Sequence, residues 1–198
     1  MGLSIEYIEC QTPLDEEEKE GLLIPTISTR GELNEFEQAN IQQAIEWTMR
    51  TRFTTEKILS EDFLFLVHRK MFGEVWEWAG KKRKTNKNIG VDKHFISVEV
   101  RKLIDDCIYW IANQTYSNDE IAIRFSHRIV KIHLFPNGNG RHSRLIADIM
   151  ISKIYKKPVF TWGREDLSKK KKIRKEYLKA IHLADNENYK SLIEFARK

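Results

Sequence analysis

Between two strongly apolar stretches the chain reads HLFPNGNGRHSR, residues 133–144. No other segment restricts the fold as tightly. The run before it carries Ile121, Ile123, Phe125, Ile129, Val130 and Ile132, too apolar for a surface helix. Pro136 removes a backbone donor, and Gly138 and Gly140 permit backbone angles closed to other residues. A second helix is expected to restart at Asn139 or Gly140. The chain must therefore turn sharply between two buried helices. A glycine-lined helix start presents free N–H groups to an anion. Arg141 and Arg144 lie three residues apart and lean toward one side of the new helix. Guanidinium forks grip phosphate oxygens in pairs and stay charged at any working pH.

The turn matches neither common phosphate motif. A P-loop needs G-x-x-x-x-G-K-[ST], and no lysine follows these glycines. The dinucleotide fingerprint G-x-G-x-x-G fails at Ser143 and calls for a strand where a helix is read. A helix–loop–helix cradle for a polyphosphate remains, with His133 at its mouth. An imidazole there can take a proton near neutral pH from a hydroxyl poised over an α-phosphate. Pyrophosphate would leave, its charge held by the arginines and a metal. A histidine at a helix end is more often structural, and that reading stays open. A zinc site from His127, His133 and His142 lacks a carboxylate or cysteine at supporting spacing.

Elsewhere the pattern is mostly α. Residues 1–27 read as an irregular arm punctuated by Pro13, Gly21 and Pro25. From Ser28 the pattern turns helical, with Leu33, Phe36, Ile41, Ala44, Ile45 and Trp47 on one face. A second helix opens at Ser60–Asp62 and is expected to run to Gly80. Residues 81–97, KKRKTNKNIGVDKHFIS, are polar and turn-rich and read as a short β-hairpin or flap. Helices follow over VEVRKLIDDCIYWIAN, NDEIAIRFSHRIVKI and NGRHSRLIADIMISKIY. A last stretch from Leu167 is broken near 185–188. One domain is expected, residues 32–198, preceded by an arm over 1–31.

Hydrophobic residues make up 41% of the 198, enough for a core, and 11% are aromatic, which argues against disorder. The net charge of +5 sits largely between Lys156 and Lys179. That run reads as a solvated helix face, and its lysines at 169–172 lack interleaved base readers, so nucleic acid is not the expected partner. Cys10 and Cys107 are far apart and suit a reducing cytoplasm. The N-terminus lacks a signal-peptide layout, and Glu6 stands where myristoylation needs Ser or Thr. No apolar run approaches the roughly 20 residues that span a bilayer. A cytoplasmic protein without a membrane partner is expected; the oligomeric state cannot be read.

The turn resembles the signature of the Fic family, H-x-F-x-[D/E]-G-N-G-R-x-x-R, at His133, Phe135, Gly138, Asn139, Gly140, Arg141 and Arg144. LVHRKMFGEVWEWAGKKRKTNKNIG resembles the family's approach to its docking flap, and YLKAIHLADNENYKSLIEF its closing helix pair. TRGELNEFEQANI together with HLFPNGNGRHSR is similar to the subgroup called mobile mystery protein B, associated with mobile elements. The resemblance implies a Fic-like helical bundle with a short hairpin flap, and transfer of AMP from ATP to a hydroxyl of a target protein, self-modification included. It makes His133 the base and Phe135 a core anchor. The amides of Gly138, Asn139 and Gly140 would form the anion hole, and Arg141 and Arg144 would hold the outer phosphates. Val91, Asp92, Lys93, His94, Phe95 and Ile96 would pair with an extended target segment by strand addition. Tyr177 falls where the family places an aromatic near the base.

Two departures matter. Asn137 replaces the usual acid that helps hold Mg²⁺, and an amide oxygen is a weaker ligand for a hard cation. A catalytically weak nucleotide-binding regulator, or an enzyme using another phosphate-containing substrate, is therefore the alternative. Ser28–Glu32 also fits most of the family's inhibitory pattern, [S/T]-x-x-x-E-[G/N], with Leu33 departing. By resemblance Glu32 would pair with Arg144 and misplace the γ-phosphate. The same letters make a capping box at Thr29 and Glu32, which needs no regulatory role.

Overall fold

Asn118–Ile132 (helix α6) carries apolar side chains on most of its faces, so it can be stable only when surrounded. Ile121, Ala122, Ile123, Phe125 and Ile129 are each at most 1% exposed, and the helices Ile96–Ala112, Asn139–Ile149 and Lys190–Arg197 pack against this one. The computed structural model describes residues 16–163 and 170–198. In chain order the helices are α1 (Glu16–Glu20), α2 (Arg30–Arg50), α3 (Thr55–Ile58), α4 (Glu61–Phe72), α5 (Ile96–Ala112), α6, α7 (Asn139–Ile149), α8 (Lys170–Asp185) and α9 (Lys190–Arg197). α2 packs on α4, α5 and α7 on α6, and α8 on α9. The last turn of α7 widens into a π-helical turn, Met150–Ile154.

Local chemistry sets these boundaries. Hydroxyls at Thr29, Thr54, Ser60 and Ser117 accept from amides three residues on and cap four helix starts. The break expected near 185–188 lies between α8 and α9. The C-terminus is pinned by Arg197, whose fork meets Asp119 at 2.6 and 2.7 Å. Cys107 is a buried free thiol. Cys10, most of the expected 1–27 arm and part of the basic run lie outside the described residues.

Three expectations need correction. The second helix stops at Phe72, not Gly80, because Gly73 closes it with a 2.7 Å bond to Arg69. The chain then turns back, so that Trp76 and Trp78 stack at 4.9 Å and residues 21–23 lie along 75–77 through one antiparallel bridge, Leu22–Trp76. Burying two indoles outweighs two further helical turns. Next, the inward face of α2 is Leu33, Glu37, Asn40, Ala44 and Thr48, while Phe36 is 45% exposed. Its polar members have partners: Asn40 donates to Lys70 O at 3.0 Å and accepts from the Glu74 amide at 3.0 Å. An apolar stripe could not have located that face.

The flap, finally, is a loop and a short turn rather than a hairpin. Among the described residues it forms no strand ladder, and residues 93–95 make a single 3₁₀ turn. Two of its carbonyls, Thr85 O and Val91 O, are taken by one side chain, Arg83, instead of a facing strand.

Phe63 is fully buried and meets Phe53 edge-on at 5.0 Å, joining the α2–α3 connection to α4. Phe63→Ala should cost about 3–5 kcal/mol, seen as a lower urea midpoint. An unchanged midpoint would mean that the α4 core is packed differently.

Candidate active site

The link from α6 to α7 spans only residues 133–138, and its polar backbone is nearly all buried, so its groups need partners nearby. α6 ends at His133 in the left-handed region, φ 58°, and α7 begins at Gly138, φ 79°. At Gly138 a Cβ would meet the Phe72 ring at 2.6 Å, so only glycine fits this corner. Asn139 is 3% exposed and laces the turn: its Oδ1 accepts from Phe135 N at 3.0 Å and its Nδ2 donates to Phe135 O at 2.8 Å. Phe135 is fully buried.

His68 supports the turn from beneath, a residue the sequence reading passed over. Its ring is fully buried and stacks on Phe135, centroids 3.6 Å apart. Nε2 donates to Asn137 O at 3.0 Å, and Nδ1 accepts from the Gly80 amide at 2.9 Å. These two bonds require the neutral ring. Burial, reinforced by His142, holds its pKa well below the ordinary histidine value. The spacing of a lone histidine in an apolar helix carried no signal of this.

The cradle itself is partly open. The first turn of α7 has no side-chain cap, and at Gly140 a Cβ would meet nothing within 4 Å. The Gly138 amide, however, donates to the side-chain oxygen of Asn137 at 2.6 Å. Asn137 thus turns its oxygen toward its own loop, away from the cation role that its position implied. Among the described residues no group of three His, Cys, Asp or Glu side chains is placed to hold a metal, so a Mg²⁺ here would draw most of its ligands from nucleotide phosphates and water.

His133 is 4% exposed, covered by the flap at Gly90, where a Cβ would come within 2.6 Å of the His133 Cβ. Burial first, then the charges of Arg83 and Lys87, push its pKa down to about 4. At neutral pH the ring is uncharged and able to accept a proton. His142 and His127 serve the scaffold. His142 donates to Leu64 O at 2.9 Å. His127 donates to Asp185 at 3.0 Å and accepts from the Tyr189 hydroxyl at 3.2 Å.

The two arginines have different surroundings. Arg141 pairs with Glu37 at 2.6 Å and lies 4.7 Å from the Phe72 ring centre. Glu37 is 4% exposed, and its other oxygen accepts from the Trp76 indole at 2.8 Å. Arg144 lies over the Tyr177 ring at 5.4 Å. Tyr177 also packs on Phe195, and burial raises its pKa. Its ring is thus placed beside the second arginine.

The expected contact of Glu32 with Arg144 is not what the structure shows. Glu32 accepts from the amides of Ser28 at 2.9 Å and Thr29 at 3.0 Å, and Thr29 accepts in return from the Glu32 amide. The Ser28 amide, then that of Thr29, hold its carboxyl below the usual range. The capping box takes the side chain locally, and the carboxylate that reaches the motif comes from Glu37, five residues later and on the opposite arginine.

The docking expectation for 91–96 also changes. Val91 N donates to Ile132 O at 3.3 Å, and Val91 O accepts from Arg83, so neither is available to a strand. Asp92 caps the turn, accepting from His94 N at 2.9 Å and from Asn86 at 2.7 Å. Lys93 donates to Lys84 O at 2.8 Å, Phe95 is 60% exposed, and Ile96 is fully buried as the first residue of α5. A helix start cannot add a strand.

Two measurements follow from this geometry. His68→Phe keeps a flat ring but removes the partners of two part-buried backbone groups, Asn137 O and Gly80 N–H, and should cost about 2–5 kcal/mol by urea denaturation. The depressed pKa values of His133 and His142, each about 4, act in one direction. Between pH 6.5 and 4 the unfolded chain binds protons that the folded one refuses, so stability falls as the pH drops through that window. A melting temperature flat from pH 7 to 4 would contradict the burial of these rings.

Residues 58–151 match the model of the Fic/DOC family. A fragment of Fic-1 from C. elegans superposes with a TM-score of 0.66 at 20% identity, over 90% of this chain and 50% of that one, so the chain spans half the length of that relative. BepC from Bartonella tribocorum, solved with bound AMPPNP, gives 0.67 at 15% identity over 92% and 97%. A VirB-translocated Bep effector from Bartonella quintana, solved with bound ADP, gives 0.65 at 16% over 87% and 86%. At these identities the likeness establishes the fold. Residues 58–151 are thus similar to the Fic/DOC family, and the chain is folded as a Fic-like helical bundle.

Proposed function

We propose that the chain is a protein adenylyltransferase, moving AMP from ATP to a hydroxyl of a target protein or of itself. One observation carries the reading: an uncharged imidazole, His133, ends one buried helix while an uncapped, glycine-lined helix start with two arginines follows six residues later. That pairing suits a general base beside a triphosphate. Relatives of the same fold solved with AMPPNP and ADP support a nucleotide as the ligand.

In this reading the amides at the start of α7 receive the phosphates. Arg141 and Arg144 balance charge on the leaving pyrophosphate. His133 Nε2 or Nδ1 takes the proton of the attacking hydroxyl as its oxygen bonds to the α-phosphorus and the bond to pyrophosphate breaks. Two rearrangements are required. Asn137 releases the Gly138 amide, and the loop at Gly90 lifts from His133. Lys84 to Gly90, with Ile89 50% exposed, then offers the docking edge. The wording of TRGELNEFEQANI supports the mobile mystery protein B subgroup, and the two cysteines, far apart in sequence, suit a reducing cytoplasm; no helix among the described residues is long and apolar enough to cross a membrane.

His133→Ala should lower labelling from ATP carrying the isotope at the α-phosphate by about 10²–10⁴-fold, with ATP binding retained. Equal labelling in both proteins would remove His133 as base. The α2 helix restrains the site through Glu37, whose carboxylate competes with phosphate for Arg141. Glu37→Gln keeps an acceptor for Trp76 and removes that competitor, so ATP should bind several-fold more tightly by calorimetry. Weaker binding would show instead that Glu37 presents Arg141 to the nucleotide. A second reading, a regulator that binds nucleotide without transferring it, draws on the Asn137–Gly138 bond, and ATP binding without labelling would favour it.

A further inference from the structure

We infer that Arg83 is a positioning residue that couples the docking flap to His133, so that whatever engages the flap also sets the geometry of the base; this rests on the adenylyl-transfer reading. α6 leaves its last carbonyls without helical partners. The flap supplies all three that flank the base. Ile132 O accepts from Val91 N at 3.3 Å, His133 O from Arg83 Nε at 2.6 Å, and Leu134 O from the Arg83 amide at 3.0 Å.

The same guanidinium organises the loop on its other side. NH1 donates to Thr85 O at 2.8 Å and to Asn86 Oδ1 at 3.4 Å, and NH2 donates to Val91 O. Arg83 is 2% exposed, so these bonds are sheltered from water. Both ends of the flap and the carbonyl of His133 are therefore held by one rigid, planar group. His133 stands at φ 58°, a conformation L-residues rarely adopt, and it needs such outside support. Gly90, φ 100°, completes the contact: a side chain there would meet His133 Cβ at 2.6 Å and Arg83 at 3.1 Å.

A segment pairing with the loop between Thr85 and Gly90 must shift the Thr85 carbonyl and the Asn86 side-chain oxygen that Arg83 holds. The fork passes that shift to the His133 carbonyl and so to the imidazole. Arg83 itself lies on neither the phosphate turn nor the exposed loop edge. Lysine cannot replace it, because an ammonium offers a compact point charge in place of a planar set of donors. The cradle has separate supports, His68 and Asn139, so nucleotide binding does not depend on Arg83.

The test compares Arg83→Lys with the unaltered full chain by ATP calorimetry, by steady-state transfer to target or self, and by ¹H–¹⁵N NMR of the imidazoles, with His133 assigned through His133→Ala. The expected result is ATP affinity within about twofold, kcat lowered by about a hundredfold, and displaced ring signals for His133 but not for His68 or His142. Unmoved His133 signals would overturn the coupling whatever the transfer rate does. Loss of ATP binding together with transfer would also overturn it, since that is the mark of a general structural role. No transfer by the unaltered chain, with His133 signals still displaced in the variant, would remove the adenylyl-transfer reading and leave the coupling standing. Should Arg83→Lys fail to fold, Gly90→Ala pushes the flap off His133 with Arg83 intact, and the same ring signals decide.

Discussion

A short turn between two buried helices must satisfy its backbone polar groups without water. That demand organises much of what surrounds residues 133–138. Asn139 supplies both a donor and an acceptor to Phe135, His68 reaches up to the Asn137 carbonyl, and Arg83 takes the carbonyls of His133 and Leu134. Each unmet bond would leave a buried group costing about 1–3 kcal/mol. The same contacts that stabilise the turn also hold His133 and the start of α7 in fixed relation.

Low local polarity does further work at this turn. His68, His133 and His142 are all kept uncharged by burial, and each for a different end. Two of them lock tautomers by donating to carbonyls, at Asn137 and at Leu64. His133 alone stands between the flap and the cradle. An imidazole with a pKa near 4 is a modest base, and its value would rise as the flap lifts and water or an anion approaches.

Polar side chains on α2 give the site its second layer. Glu37 and Asn40 occupy positions that an apolar stripe would normally fill, and they connect α2 to Trp76, Arg141 and the α4 C-terminus. A buried carboxylate is tolerated there because an indole donor and a guanidinium both meet it. Glu32, exposed and one and a half turns earlier, serves only the start of its helix.

Much of this was legible in the amino-acid order because it depends on neighbours in sequence: hydrophobic period, caps, and the glycines and proline of HLFPNGNGRHSR. The helices around the site, the capping box at Thr29, and a turn with His133 before it and two arginines after it all follow from such short-range rules. Long-range hydrogen bonds were not legible. Which carboxylate meets Arg141, that His68 braces the turn, and that Arg83 takes the His133 carbonyl depend on segments from 50 to 104 residues apart arriving together. Residue type and spacing state what a side chain can bind; only the packed chain decides which of several eligible partners lies within 3 Å.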